Sequence, residues 1–346
     1  MLQGDRGEYY EDASLGDEYQ SPARTITEAD IVAFAGLTGD HSPMHMDEEY
    51  CRKTLVGRRA AHGLLGLGVV EGLLIRVPPG EGRGIASLSW LWRFCQPVVA
   101  GDTVRARWAI TWKRRSRSRP DWGIVEESVR LENQRGEVVQ EGVHAILLAC
   151  RTDGRAAEPE TGSPRGGELE ADQDEAAARL LATTLAPSDP SDGTAVYFED
   201  LEPGCRFTSP RRTVTETDVV SFAAITGDYA MIHTDEEYCR ATEFGTRVAH
   251  GLLGLSLVEG LKRRVNAYAG TGGTMTLLAL TWSFRKPIVA GDTVHVTWAV
   301  AKRGVCPSRA DGGWLVEDVR LLNQRAEVVQ EGRQIQAIRR HPPSVP

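Results

Sequence analysis

Ala61-His62-Gly63-Leu64-Leu65-Gly66-Leu67 opens an apolar run that continues to about Val77, and it recurs as Ala249-His250-Gly251-Leu252-Leu253-Gly254-Leu255. Upstream, Leu37-Thr38-Gly39-Asp40-His41-Ser42-Pro43-Met44-His45 recurs as Ile225-Thr226-Gly227-Asp228-Tyr229-Ala230-Met231-Ile232-His233. Asp228 minus Asp40, His233 minus His45 and His250 minus His62 all give 188, and a fixed period over such residues identifies two copies of one unit. Arg24-Thr25-Ile26-Thr27-Glu28 keeps this register against Arg212-Thr213-Val214-Thr215-Glu216. Downstream, Pro97 to Val104 matches Pro287 to Val294 at a spacing of 190, so copy two carries two extra residues in between. A last block, Asn133 to Gly142, returns at Asn323 to Gly332.

The run from Ala61 to Val77 is apolar nearly all round, the pattern of a buried helix, and Gly63, Gly66 and Gly68 let a sheet approach it closely. Before it, Thr27 and Asp30, like Thr215 and Asp218, place a hydroxyl and a carboxylate three residues apart, a variant of the capping box that opens a short helix ending near Gly39. After it come Ser87 to Phe94, Asp102 to Lys113, Gly123 to Asn133 and Val138 to Ala149, runs of strand length rich in Val, Ile, Trp and Thr. Consecutive strands without intervening helices predict an antiparallel sheet. The expected architecture is α+β, a double hot-dog in which two antiparallel sheets are each wrapped around a central buried helix. Its N-terminal domain spans residues 6–150 and its C-terminal domain 196–341. Residues 151–195 between them, rich in Asp, Glu, Gly, Pro and Ser, read as a linker with one short helix near Glu175 to Leu181.

A chain of 346 residues fits two domains of ordinary size, each able to bury a core. Its net charge of −8 offers no global attraction to nucleic acid or to an anionic membrane, so affinity for a phosphorylated ligand has to come from local basic patches. Met1 to Glu8 is too polar for a secretory leader and no apolar stretch has membrane-spanning length, which makes a cytoplasmic location the expectation. Six cysteines show no Cys-x-x-Cys spacing, and free structural thiols are expected.

Asp40 and His45 stand five residues apart, a spacing that a continuous helix would turn about 140° apart. Pro43 disfavours helical geometry at Ser42, so the helix is expected to end after Asp40 and the chain to fold back, bringing carboxylate and imidazole together. Such a pair can hold a water and move its protons near neutral pH, although an Asp and a His beside a Pro turn also suit a capped loop. His62-Gly63 opens the buried helix, where unpaired N–H groups and the positive dipole end can meet an incoming oxygen. His62 itself suits a structural role, with one ring nitrogen bonded to nearby backbone, beside a useful Gly63 amide. Lys113 to Arg119 forms a basic hairpin tip that reads either as a solvated turn or as a contact for phosphates or an acidic carrier protein.

Thr38-Gly39-Asp40-His41-Ser42-Pro43-Met44-His45 resembles the Asp-x-Asn-Pro-x-His motif of MaoC-like dehydratases and (R)-specific enoyl-CoA hydratases. Ala61-His62-Gly63-Leu64-Leu65 and Pro97-x-x-x-Gly101-Asp102 resemble the downstream blocks of that family, in both copies. The resemblance implies a hot-dog fold and reversible hydration of trans-2-enoyl thioesters to (R)-3-hydroxyacyl thioesters. It implies no metal and no redox cofactor; coenzyme A or carrier-protein phosphopantetheine enters as part of the substrate. Carried over, Asp40, His45 and Gly63 become catalytic, as do Asp228, His233 and Gly251, with Ser42, His62 and His250 beside the substrate.

Departures from the motif separate the copies. Its Asn is Ser42 in copy one, whereas Asn and Pro become Ala230 and Met231 in copy two, so copy one is expected to be the surer active half. Glu71 and Glu259 stand on the buried helices where related hydratases often carry a small hydroxyl residue, as structural or as substrate-pocket groups. Acyl-CoA or acyl-carrier protein is the expected partner, and a homodimer is an open expectation because single hot-dog domains commonly pair. A hot-dog thioesterase, or a noncatalytic acyl-thioester-binding subunit, are the rival readings.

Overall fold

The computed structural model describes residues 9–77, 86–119, 121–151, 161–162, 196–265, 275–307 and 310–341. The expected helix near Glu175 lies outside them, as does most of the linker. In copy one, helix α1 (Glu28–Thr38) is followed by two single-turn helices, α2 (Pro43–Met46) and α3 (Glu48–Cys51), and by the apolar helix α4 (Gly63–Leu74). Copy two repeats these as α5 (Glu216–Thr226), α6 (Met231–Thr234), α7 (Glu236–Arg240) and α8 (Gly251–Lys262). Both expected capping boxes form: Thr27 accepts from the Asp30 N–H while Asp30 accepts from the Thr27 N–H, and Thr215 and Asp218 do the same. Helix α4 begins two residues into the apolar run, where Ala60 bridges Val99 and the Ala61 N–H donates to the Val98 carbonyl at 2.7 Å. None of the described helices is long and apolar enough to cross a membrane.

The long strands fall close to the expected segments. They are β3 (Ala86–Phe94), β4 (Thr103–Arg115), β5 (Trp122–Glu132) and β6 (Val138–Ala149), then β10 (Met275–Phe284), β11 (Thr293–Val305), β12 (Gly312–Leu322) and β13 (Val328–Arg339). Short strands β1 (Glu18–Gln20) and β8 (Arg206–Thr208) lie at the outer edges, while β2 (Arg24–Thr25) and β7 (Thr161–Gly162) pair with β4 and β9 (Arg212–Thr213) with β11.

The sheet departs from the expectation of two antiparallel sheets each wrapped around its own helix. Among the described residues the strands instead form one 13-stranded sheet, ten of them along the path β1-β4-β5-β6-β3-β10-β13-β12-β11-β8 and β2, β7 and β9 off it, open at both ends and not closed around any helix. The halves join where β3 pairs with β10, from Ala279 opposite Arg93 to Ser283 opposite Ser89. Separate sheets would have left these two edges with unpaired backbone groups, and pairing them antiparallel satisfies both. Helices α4 and α8 pack against each other as well as on the sheet, and one hydrophobic cluster runs through both halves, with Trp92 and Trp282 in its floor.

The halves also interlock through their helices. Gly72 on α4 lies against the C-terminal end of α5, and Gly260 on α8 lies against that of α1. A β-carbon would stand 2.2 Å from the Thr226 carbonyl oxygen at Gly72 and 1.8 Å from that of Thr38 at Gly260. Arg24 donates to the Thr226 carbonyl at 2.8 Å while pairing with Asp30 at 2.7 Å; Arg212 donates to the Leu37 carbonyl at 2.8 Å while pairing with Asp218 at 2.6 Å. Each helix that precedes a dyad thus has its terminal carbonyls held by the opposite copy.

These contacts predict that Gly72→Ala and Gly260→Ala each lose about 1–3 kcal/mol in urea unfolding, as overpacking against backbone does. Gly36→Ala, on exposed α1 with nothing near its added methyl, should instead gain about 0.5–1 kcal/mol. Equal effects from all three would show that the crossing is loose.

Candidate active site

Helix α1 ends at Thr38, earlier than the position after Asp40 that Pro43 suggested. Gly39 closes it in the left-handed region at φ 83°, donating its N–H to the Ala35 carbonyl at 2.8 Å. Asp40 then turns inward and accepts from the N–H of Ser42 at 3.2 Å and from the Ser42 hydroxyl. In copy two Gly227 has φ 84°, and Asp228 accepts from the Ala230 N–H at 3.2 Å. Ser42 and Ala230 have nearly the same backbone, φ −54° ψ 141° and φ −52° ψ 137°. The turn therefore does not depend on the proline: glycine and the aspartate's bond to the backbone make it, and Pro43 merely occupies the first position of α2, where proline is tolerated.

His45 and His62 complete the cluster in copy one, His233 and His250 in copy two. A backbone carbonyl orients each outer imidazole: His45 Nδ1 lies 2.8 Å from the Ala60 oxygen and His233 Nδ1 2.8 Å from that of Val248. A carbonyl only accepts, so Nδ1 carries the proton and Nε2 is left as an acceptor. His62 Nε2 and His250 Nε2 donate to the Asp40 and Asp228 carbonyls, each at 2.9 Å. They stack on His45 and His233 with ring centroids 3.7 and 3.8 Å apart. Gly63 and Gly251 are the first residues of α4 and α8, where an N–H has no intrahelical acceptor. A side chain there would strike Phe94 at 2.8 Å or Phe284 at 2.7 Å.

Aspartate and both imidazoles of each copy bring one possible ligand atom apiece within 4.8 Å of one another. An ion must lie in the plane of each imidazole that binds it, about 2 Å from the nitrogen. Two rings stacked at these distances, with planes only 26° or 29° apart, direct their lone pairs side by side rather than to one point. The arrangement suits proton handling better than coordination.

The two sites differ in what surrounds these shared parts. Asp228, His233 and Gly251 open on a cavity of about 310 Å³, whose other wall comes from copy one through Glu71, Leu74, Ile75, Ser87, Glu127 and His144. Asp40, His45 and Gly63 face only about 80 Å³, walled by Ser256, Glu259, Arg263 and Leu277 of copy two. Arg263 approaches Asp40 to 3.8 Å, whereas its equivalent across the repeat, 188 residues earlier, is Ile75. Burial alone would raise the Asp40 carboxyl, but Arg263, the two imidazoles and the Ser42 hydroxyl together hold it far below the usual carboxylate range. Glu71, by contrast, is pushed up, chiefly by burial, with His144 opposing. Both glutamates expected on the buried helices thus line cavities.

Several residues at these sites escaped the sequence reading. Gln140 donates to the Gly63 carbonyl at 3.0 Å and accepts from Trp92 Nε1 at 2.9 Å; Gln330 repeats this on Gly251 and Trp282, each at 2.9 Å. Their recurrence in the last repeat block was the available signal. The cavity rim of copy two also carries Arg285 and Lys286, where the repeat places Cys95 and Gln96 in copy one. Of the basic hairpin tip, Lys113 is buried and donates to the Tyr10 and Ala13 carbonyls, at 3.3 and 2.7 Å, and Arg119 pairs with Glu243 at 2.9 Å. These two residues have structural partners.

Comparison with known proteins points to one family. A family model described as MaoC like domain matches residues 12–130 and 202–311. The chain is 38% identical over 111 residues to Protein MaoC of Klebsiella aerogenes, spanning 31% of each. It is 40% identical over 148 residues to the (R)-specific enoyl-CoA hydratase of Rhodospirillum rubrum, covering 41% of this chain and 93% of that protein. Among solved structures, a MaoC domain protein from Chloroflexus aurantiacus matches 99% of this chain and all of its own at 20% identity, with a TM-score of 0.85. A Mycobacterium tuberculosis protein with a double hot-dog fold matches 96% of this chain and 98% of its own at 18% identity, with a TM-score of 0.72. At those identities the structural likeness bears on the fold.

Burial holds His45, His62 and His250 below the usual histidine range, against the opposing charge of Asp40 at His45 and His62. Folded, each binds fewer protons than the unfolded chain once the pH drops under about 6.5, so stability falls as the pH falls from there. The slope is at most about 1.4 kcal/mol per pH unit for each histidine. The urea midpoint should accordingly drop between about pH 7 and about pH 5, and His250→Gln should flatten part of that decline. A midpoint that rises or stays level over this range would contradict neutral buried imidazoles.

Proposed function

The chain belongs to the MaoC-like domain family, and from that premise we propose that it catalyses reversible hydration of trans-2-enoyl-CoA thioesters to (R)-3-hydroxyacyl thioesters. The single observation that carries this reading is the convergence of Asp228, His233 and the Gly251 end of α8 on one cavity large enough for an acyl thioester.

Water is held between an Asp228 oxygen and His233 Nε2. As its oxygen bonds to the β-carbon, its proton passes to Asp228 and the alkene electron pair shifts toward the thioester oxygen. Charge developing on that oxygen is met by the Gly251 N–H and the positive end of α8, donors already in place before the reaction. Asp228 then gives that proton to the α-carbon, which completes the addition and regenerates the carboxylate, and the reverse sequence is dehydration. His250 binds the Asp228 carbonyl and stacks on His233, so it positions both partners without supplying a proton.

Sequence alone favoured copy one as the working half; the surroundings favour copy two. Its cavity is the larger, and Ile75 leaves Asp228 without the guanidinium that Arg263 brings to Asp40. A carboxylate paired with arginine is a weak proton acceptor. At the rim, Arg285 and Lys286 pair with Glu331 at 3.0 Å and Glu327 at 2.7 Å, partly exposed partners that they can exchange for the phosphates of coenzyme A.

With crotonyl-CoA, Asp228→Asn is expected to lower kcat by about 10²–10⁴-fold, while Asp40→Asn changes it by less than about threefold. Arg263→Ile in the Asp228→Asn background should recover measurable turnover by opening the copy-one site. The opposite ranking of Asp40 and Asp228 would move the chemistry to copy one. Release of free thiol without loss of the enoyl absorbance would replace hydration with thioester cleavage, and tight thioester binding with no turnover would make the chain a binding subunit.

A further inference from the structure

The end of the copy-two cavity contributed by copy one is not apolar. Glu71 Oε1 lies 3.6 Å from His144 Nε2, and Glu127 Oε2 lies 3.6 Å from His144 Nδ1. Ser87 Oγ is 2.8 Å from His144 Nε2, and the imidazole is stacked flat on Trp90 at 3.9 Å. All four polar residues line the cavity that holds Asp228 and His233. A pocket for a plain hydrocarbon tail has no use for two carboxylates and an imidazole, which cost free energy when dehydrated against methylene groups.

Copy two shows what its equivalent group is built to hold. There Glu259, Glu317 and Gln334 stand where copy one has Glu71, Glu127 and His144, and the Lys262 ammonium sits among them. Lys262 Nζ is 2.6 Å from Glu317 Oε2, 2.8 Å from Gln334 Oε1 and 3.8 Å from Glu259 Oε1, with the lysine only 1% exposed. The residue that corresponds to Lys262 in copy one is Leu74, which donates nothing, and it too lines the larger cavity. In one half the fold thus carries an ammonium at this place, and in the other the Glu71 side chain lines the substrate space.

We propose that the copy-two cavity selects enoyl thioesters whose acyl tail ends in a hydrogen-bond donor, a hydroxyl or an ammonium group, received by the Glu71 side chain with His144 and Glu127 behind it. This rests on the hydratase reading and names the substrate class of the same site. The donor takes the place that the Lys262 ammonium occupies in the other half, and a carboxylate-ended tail is repelled by the two glutamates.

The test uses the full chain and trans-2-enoyl-CoA thioesters of matched length that end in a methyl, a hydroxyl, an amine or a carboxylate, with kcat/KM read from loss of enoyl absorbance. The hydroxyl or the amine should exceed the methyl by at least about tenfold, because a site built for donors discriminates strongly against their absence. Which of the two leads identifies the donor. Leu74→Lys, which installs the lysine of the other half, should collapse the preference, and Glu71→Gln should reduce it while keeping a hydrogen-bonding side chain of similar size. A best substrate ending in methyl or carboxylate overturns the proposal, as does a donor preference that survives both variants. Saturated acyl-CoA thioesters with the same four ends, titrated calorimetrically, read the preference independently of turnover. Failure of hydration with donor-selective binding would thus count against the reaction, and hydration of crotonyl-CoA without donor selectivity against the tail.

Discussion

Arg24 and Arg212 are the interaction on which the rest depends. Each guanidinium neutralises the capping aspartate of its own dyad helix and donates to a terminal carbonyl of the opposite one. Those carbonyls lie within a few residues of Asp40 and Asp228, and Gly72 and Gly260 press against the same helix ends. The position of each aspartate is consequently set by residues of the other copy. Without the other copy, each of these helix ends would turn its terminal carbonyl to water and lose its opposing surface.

Much of this was legible from residues alone. The period of 188 located both dyads, the Thr-x-x-Asp boxes located the helices before them, and runs rich in Val, Ile, Trp and Thr located the long strands. The single sheet was not legible, because β3 and β10 look like any other half-buried strands and nothing in their side chains announces which edge they meet. The role of Pro43 was overread for a related reason. A proline is visible in sequence, whereas the left-handed Gly39 and the Asp40 bond to backbone that make the turn are visible only as geometry.

The differences between the sites lay in residues that break the repeat rather than keep it. Arg263 against Ile75, Lys262 against Leu74 and Arg285 against Cys95 are unremarkable singly. Only the fold shows that each pair puts a member on a cavity wall, Arg263 on the smaller and Ile75, Leu74 and Arg285 on the larger. Repetition pointed to the parts common to both sites, and substitution within the repeat distinguished one site from the other. Gln140 and Gln330, which tether the helix ends through Gly63 and Gly251, belong to the first class.

Because β3 pairs with β10 and each cavity draws walls from both halves, the chain reproduces within one polypeptide what two separate subunits would build across a twofold axis. In a symmetric pair of identical subunits every substitution appears twice, so an arginine beside one aspartate would also stand beside the other. Covalent joining lifts that restriction. A residue harmful to one pocket can then be tolerated while its twin stays intact, and natural selection can act on the two pockets as separate traits. The 188-residue offset is, in this sense, the genetic condition for inequality between otherwise mirrored sites.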